Sequence, residues 1–317
     1  VQGLSVGLGA GSDAVRLVDD VSFGVRAGEA YGIVGESGCG KSTTIRAVIR
    51  LLSGRLRILS GKVLFEGGDL ATLPESGLQK VRGAGIGMVF QDPLTALNPV
   101  LPVGRQIAEA LQFHESTSRT DRKLRMLEVL RLVGLPDPNR IASAYPHELS
   151  GGQRQRVAIA IALACAPRLL LADEPTTALD VTIQDQILRL LSELRATLGM
   201  ALVLVTHDLG VVAHTCGRVA VMYAGRIVEQ APIAALFAAP AHPYTVALLN
   251  SIPRGPRRQH GLNPIAGMPP NPTNRPPGCQ FAPRCGRRLP HCEIVAPALV
   301  FRDGDAGVAC HNPVPHG

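Results

Sequence analysis

The chain has 317 residues, 46% hydrophobic and 18% charged, with a formal net charge of +7, seven cysteines and no tryptophan. That much apolar material excludes an intrinsically disordered chain and suffices for one large domain or two ordinary ones. No apolar run reaches the roughly 18 to 20 residues of a spanning helix; the best candidate, 157–167, stops at Arg168, and no export signal opens the chain, so a soluble or peripheral protein is expected.

In chain order, 15–25 alternates weakly and reads as a strand, and 29–34 is a short apolar strand. A glycine-rich loop follows, and 41–52 then has helical spacing. Strands are expected at 62–65 and 85–90, a proline-rich turn at 92–102, and a polar helical pattern over 103–135. A strongly apolar helix at 153–166 leads into a strand at 169–172. An amphipathic helix at 184–198 precedes buried strands at 201–206 and 218–222. Buried strands alternating with helices predict a mostly parallel α/β sheet. After about Ala231 the composition turns to Pro, Arg, Gly and Cys, with one helical stretch at 244–252.

The basic excess concentrates in this tail, where eight arginines from Arg254 to Arg302 face only Glu293, Asp303 and Asp305. With aromatics at 3%, the chain offers no obvious platform for stacking bases. Cys279, Cys285, Cys292 and Cys310 crowd the same segment, whereas Cys39, Cys165 and Cys216 are scattered.

Three motifs carry chemistry. Gly35-Glu36-Ser37-Gly38-Cys39-Gly40-Lys41-Ser42, followed by Thr43, fits the phosphate-loop pattern between a strand and a helix. Small residues let successive N–H groups converge on phosphate oxygens. Lys41 adds a point charge for the β- and γ-phosphates, Ser42 offers a hydroxyl to Mg²⁺, and the helix presents its positive end. Cys39 reads as a spacer, and a plain glycine turn is the bland alternative. The apolar run 169–172 ends in Asp173-Glu174, placing two carboxylates at the C-terminal edge of a buried strand. There Asp173 can hold Mg²⁺ and Glu174 can polarise an attacking water. Such an ending is commonplace alone and gains meaning in series with the phosphate loop. Leu149-Ser150-Gly151-Gly152-Gln153 opens a helix and reads as a second anion site, or more blandly as an N-cap with flexible glycines.

With Val89-Phe90-Gln91-Asp92, Ala178-Leu179-Asp180 and Thr206-His207-Asp208 in order around these motifs, the sequence resembles an ATP-binding cassette (ABC) ATPase. Leu149 to Gln153 matches the family signature, and the other three match its Q-loop, D-loop and switch histidine. The resemblance implies an α/β P-loop NTPase cassette over 1–235, with a RecA-like parallel-sheet core, an antiparallel β element and a helical subdomain at about 92–150. It implies two cassettes paired head to tail, so that Ser150, Gly151, Gly152, Gln153 and Asp180 serve the partner's nucleotide. ATP would lie on the Gly35 to Thr43 loop, with Ser42, Gln91 and Asp173 toward Mg²⁺, Glu174 as general base and His207 at the γ-phosphate. One departure is visible: the stretch 4–10, where the family offers an adenine-stacking aromatic, has none, and Leu8 is the nearest candidate.

Gln91 to Pro99, Tyr145 to Ser150, Asp173 to Val181 and His242-Pro243-Tyr244-Thr245 together look like the ATP-binding subunits of oligopeptide/dipeptide importers, with 236–317 as their C-terminal extension. This resemblance implies two transmembrane permease subunits, an extracytoplasmic substrate-binding protein, a second ATPase subunit as heterodimer partner, and a peripheral position on the cytoplasmic face of the inner membrane. Nickel and glutathione importers share the motifs and are the alternative. A soluble ABC ATPase on nucleic acid is a further one, although no nucleic-acid partner is expected. His242-Pro243-Tyr244 by itself reads as a structural turn. The four tail cysteines, in a segment expected to lack core material, suggest a metal that supplies folding energy. The resemblance implies a [4Fe-4S] cluster; zinc, with His291 or His311 as replacement ligands, and unligated thiols are the alternatives.

Overall fold

The computed structural model describes residues 1–9, 14–114, 118–177, 179–251 and 265–315. Ala178, Arg254, two further tail arginines (Arg257 and Arg258) and the ends of the stretches 4–10 and 244–252 lie outside these ranges. The chain forms two compact units, one of Val1–Gly24, Tyr31–Thr72 and Val205–Gly317, the other of Val25–Ala30 and Leu73–Leu204.

In the first unit, Gln2–Leu8 pairs antiparallel with Val15–Val21 on one side and Arg57–Lys62 on the other. Arg57–Lys62 has no fully buried residue, so it lacks the apolar alternation that marks a half-buried strand in a sequence. The strand expected at 62–65 is in fact split: Leu64–Phe65 forms its own small hairpin with Gly68–Asp69. The unit's second sheet runs Val300–Asp303, Ala306–Val308, Arg226–Pro232, Arg218–Tyr223, Ala30–Val34 in spatial order. The last two are parallel, with Arg218 opposite Tyr31 and Val221 opposite Val34, and the other pairs are antiparallel. Ala30–Val34 is buried along its whole length, which its uninterrupted apolar run requires. It feeds the glycine loop and then the helix Lys41–Val48.

The tail departs from expectation here. It was expected to lack core material, yet Phe281, Ala282, Val308 and Ala309 are buried, and Glu229 and Gln230 pair with Val308 and Gly307. The segment folds by packing on the strands Arg218–Tyr223 and Arg226–Pro232, a partner its own composition does not disclose.

In the second unit, Ile86–Val89 lies parallel to Leu169–Asp173, in register from Ile86 with Leu169 to Val89 with Ala172. Ala201–Thr206, whose first four residues belong to this unit, flanks Leu169–Asp173 on the other side and is buried at all six positions. The pattern over 103–135 resolves into two helices, Val103–His114 and Arg119–Leu132, the second capped by Ser118. Gly151–Leu163 buries residues on most of its circumference and is an interior helix. Val181–Leu198 buries Ile187, Leu190, Leu191 and Leu194, an i, i+3, i+4, i+7 stripe. Parallel and antiparallel pairing thus coexist in a mixed α/β fold. No helix among the described residues is long and apolar enough to cross a membrane.

Candidate functional site

The phosphate loop lies wholly in the first unit. Gly35 has φ +154, and a Cβ there would sit 2.1 Å from the carbonyl oxygen of Met222, so only glycine lets the chain leave the strand at this point. The helix Lys41–Val48 starts at Gly40 with no side-chain cap and no acid in its first turn. A helix start of this kind presents amides and a positive dipole end that suit an anionic ligand. Lys41 is 4% exposed, and its ammonium donates to the carbonyls of Gly35 at 2.8 Å and Glu36 at 3.0 Å. This chemistry, a cation and helix-end amides around a glycine-lined loop, fits a nucleotide's phosphates. Ser37, Gly38, Ser42 and Thr43 complete the loop; Cys39 is 4% exposed, and burial pushes its thiol pKa up. His207 is exposed at the end of Ala201–Thr206, where Asp208 caps the next helix through the N–H of Gly210 at 2.7 Å. Leu8, the position proposed for adenine, is 39% exposed at the end of its strand.

The loop has partners that the motif does not announce. The backbone N–H of Glu36 donates to the Tyr244 hydroxyl at 2.9 Å. The Glu36 carboxylate accepts two hydrogen bonds from the Arg284 guanidinium, at 2.7 and 3.0 Å. That ion pair, together with a bond to the Tyr223 hydroxyl, raises the Arg284 pKa still further. Burial, by contrast, is what raises the Tyr244 hydroxyl pKa. Phe281 packs its ring against Tyr223, Tyr244 and His242 with centroids 5.3 to 5.9 Å apart. The sequence held a signal for Tyr244, which sits in the His-Pro-Tyr turn, but no local pattern marks Arg284, whose partner lies 248 positions away.

The second unit brings other site candidates together. Gln91 donates from Nε2 to Oε2 of Glu174 at 3.2 Å, and the Thr177 hydroxyl donates to the same oxygen at 2.8 Å. Glu174 takes a left-handed backbone, φ +45, which for a non-glycine residue costs about 1–3 kcal/mol. This turn follows directly on Asp173, which is fully buried at the end of its strand. Ser150 and Gln153 form a reciprocal capping box, 3.3 Å from Gln153 N–H to Ser150 Oγ and 3.0 Å from Ser150 N–H to Gln153 Oε1. A Cβ on Gly152 would lie 3.0 Å from Ile183 Cγ2, so glycine keeps the helix start close to the helix Val181–Leu198. Asp180 caps that helix through the N–H of Ile183 at 3.0 Å, and Gly151 approaches Leu179.

The tail cysteines do not form the expected metal centre. All seven cysteines carry free thiols. Burial pushes Cys310 up to about 11, and the charges of Cys279, Cys285 and Cys292 add to the shift. Burial raises Cys279 and Cys285 likewise. Yet among the described residues no set of three or more His, Cys, Asp or Glu side chains is arranged to hold a metal ion. His311 is engaged elsewhere, its Nε2 lying 2.9 Å from the Val295 carbonyl. As placed, the described residues offer no such set for a [4Fe-4S] cluster or for zinc, and the tail instead buries Phe281 against Tyr223 and Tyr244.

Known proteins resemble this chain in sequence and fold. A family model described as ABC transporter matches residues 18–177, and one described as oligopeptide/dipeptide transporter, C-terminal region, matches residues 228–292. A peptide ABC transporter ATP-binding protein of Sinorhizobium fredii is 53% identical over 297 residues, covering 93% of this chain and 89% of that protein. The dipeptide transport ATP-binding protein DppD of Bacillus subtilis is 47% identical over 311 residues, covering 98% and 93%. Among solved structures, an ATP-binding cassette seen as a post-hydrolysis dimer with ADP and Pi superposes with a TM-score of 0.65 at 32% identity, over 73% of this chain and 97% of that one.

Proposed function

This chain belongs to the ABC transporter family, and on that premise we propose that it binds and hydrolyses ATP to power the import of oligopeptides or dipeptides through a membrane transporter. The observation that carries the reading is the phosphate loop, with its uncapped helix and buried Lys41, tied to an extension of the oligopeptide/dipeptide type through Glu36. We assign 1–235 to the cassette and 236–317 to that extension. Lys41 and the Gly35 to Thr43 amides hold the phosphates, and Ser42, Gln91 and Asp173 serve Mg²⁺. Bound Mg²⁺ neutralises charge on the phosphoryl group. Glu174 takes the proton of the attacking water, and the hydrogen bonds from Gln91 and Thr177 support this role by fixing its carboxylate. His207 contacts the γ-phosphate, while Ser150 to Gln153 and Asp180 serve the nucleotide of a second, non-identical ATPase subunit. Two permease subunits and an extracytoplasmic binding protein complete the assembly, which places the chain peripherally on the cytoplasmic face of the inner membrane.

The test is ATPase activity of the chain assembled with its membrane partners. Binding protein plus peptide should stimulate turnover and nucleic acid should leave it unchanged. Stimulation by DNA, with no response to peptide, would overturn the reading.

A further inference from the structure

Glu36 is held on three sides. Its N–H donates to the Tyr244 hydroxyl at 2.9 Å, its carbonyl accepts from Lys41 at 3.0 Å, and its carboxylate takes the fork of Arg284 at 2.7 and 3.0 Å. The Arg284 side chain is only 4% exposed. Its remaining N–H groups donate to the Tyr223 hydroxyl at 3.2 Å and to the carbonyls of Ile265 at 3.1 Å and Ala266 at 2.9 Å, so all five guanidinium donors are used. A lysine has neither the planar fork nor enough donors for this set. Tyr244 is placed with equal care: it is fully buried, its helix is capped by Nδ1 of His242 at 3.0 Å, and the N–H groups of Ala241 and His242 are bound by the Glu229 carboxylate at 2.7 and 2.8 Å. A continuous set of hydrogen bonds thus leads from the strand Arg226–Pro232 through the His-Pro-Tyr turn to the first peptide of the phosphate loop.

We propose that Tyr244 and Arg284 are positioning residues of the nucleotide site, which fix the backbone and carboxylate of Glu36 so that the phosphate loop is held in one conformation before ATP arrives. The extension is then a structural wall of the ATP site, and its His-Pro-Tyr turn and Cys-flanked arginine act on nucleotide affinity. A pre-set loop loses less conformational freedom on binding, so the effect falls on affinity more than on chemistry. The inference rests on the ATP-binding reading above.

The test uses the full chain and MgATP, with affinity and stoichiometry from titration calorimetry and KM and kcat from the assembled transporter. Tyr244→Phe removes one hydroxyl without changing ring volume and should weaken MgATP binding about 3- to 10-fold, the scale of one lost hydrogen bond to a part-buried donor. Arg284→Met should cost about tenfold, Arg284→Lys should recover only part of that, and Glu36→Gln should add less than twofold once Arg284 is already Met, because the two act as one unit. KM should rise while kcat stays within about twofold and the number of ATP sites per chain is unchanged. Affinity within 1.5-fold of wild type for both Tyr244→Phe and Arg284→Met would overturn the assignment. So would a fall in sites per chain at constant Kd, the mark of simple misfolding. If the wild-type chain itself bound no MgATP, the ATP-binding reading would fall first, so the two failures are separable.

Discussion

Acidification from pH 7 to pH 5 tests the burial of His242. The residue is 1% exposed, its Nδ1 accepts the N–H of Tyr244, and its Nε2 has no hydrogen-bond partner among the described residues. Protonation would therefore break the cap and leave a charge facing Phe281, and burial pushes the pKa from 6.5 down to about 3. The folded-state pKa is depressed, so the stabilisation is whole above about 6.5 and is lost as pH falls toward about 3. At pH 5 the unfolded chain takes up this proton and the folded one does not. The interval of about 1.5 units at about 1.4 kcal/mol each gives a loss of about 2 kcal/mol. His242→Asn keeps a capping acceptor but does not titrate. Urea unfolding followed by tyrosine fluorescence, unobscured because the chain has no tryptophan, gives stability at both pH values. The wild type should lose about 2 kcal/mol more than the variant over this interval. Glu229, which binds the N–H groups of Ala241 and His242, is common to both proteins and cancels in the comparison. Equal losses, within about 0.5 kcal/mol, would refute the claim that His242 is held neutral.

Three further outcomes follow from the geometry. Glu174→Gln should bind ATP normally but turn over about 10²- to 10⁴-fold more slowly in a phosphate-release assay, and near-normal turnover would remove Glu174 as the base. Lys41→Ala should weaken ATP binding in a direct titration, because its ammonium is the loop's buried cation; undiminished affinity would contradict the phosphate-loop assignment. Phe281→Ala removes a ring that is 3% exposed and packs on Tyr223 and Tyr244, so urea unfolding should show a loss of about 3–5 kcal/mol. A change under about 1 kcal/mol would mean that the tail docks by other contacts.

Much of the fold was legible where burial is two-sided. Ala201–Thr206 matches the expected strand residue for residue, because a strand covered on both faces must be apolar throughout. Gln2–Leu8 and Arg57–Lys62 escaped notice, the first because its burial runs over four consecutive residues instead of alternating, the second because it buries almost nothing. The phosphate loop, the acid pair and the Ser150 cap could be read locally, since each is a short motif that shapes its own backbone. Arg284 could not. Its partner Glu36 is 248 positions away in sequence, and neither residue alters the local pattern around the other. The tail carries most of the chain's basic excess, but several of its arginines are paired within the fold. Arg284 is spent on Glu36, Arg275 donates to the Leu17 carbonyl at 3.1 Å, and Arg288 pairs with Glu293 at 3.3 Å.

The pairing of Ala306–Val308 with Arg226–Pro232 shields a sheet edge. Arg226–Pro232 is bonded on its other side to Arg218–Tyr223, so without the tail it becomes an open edge. Five of its seven residues are buried in the full chain, Ile227, Val228 and Ala231 among them. An unshielded strand of that kind is a template for pairing with another molecule. A chain ended at about residue 235 would therefore bare a self-associating edge and is expected to aggregate.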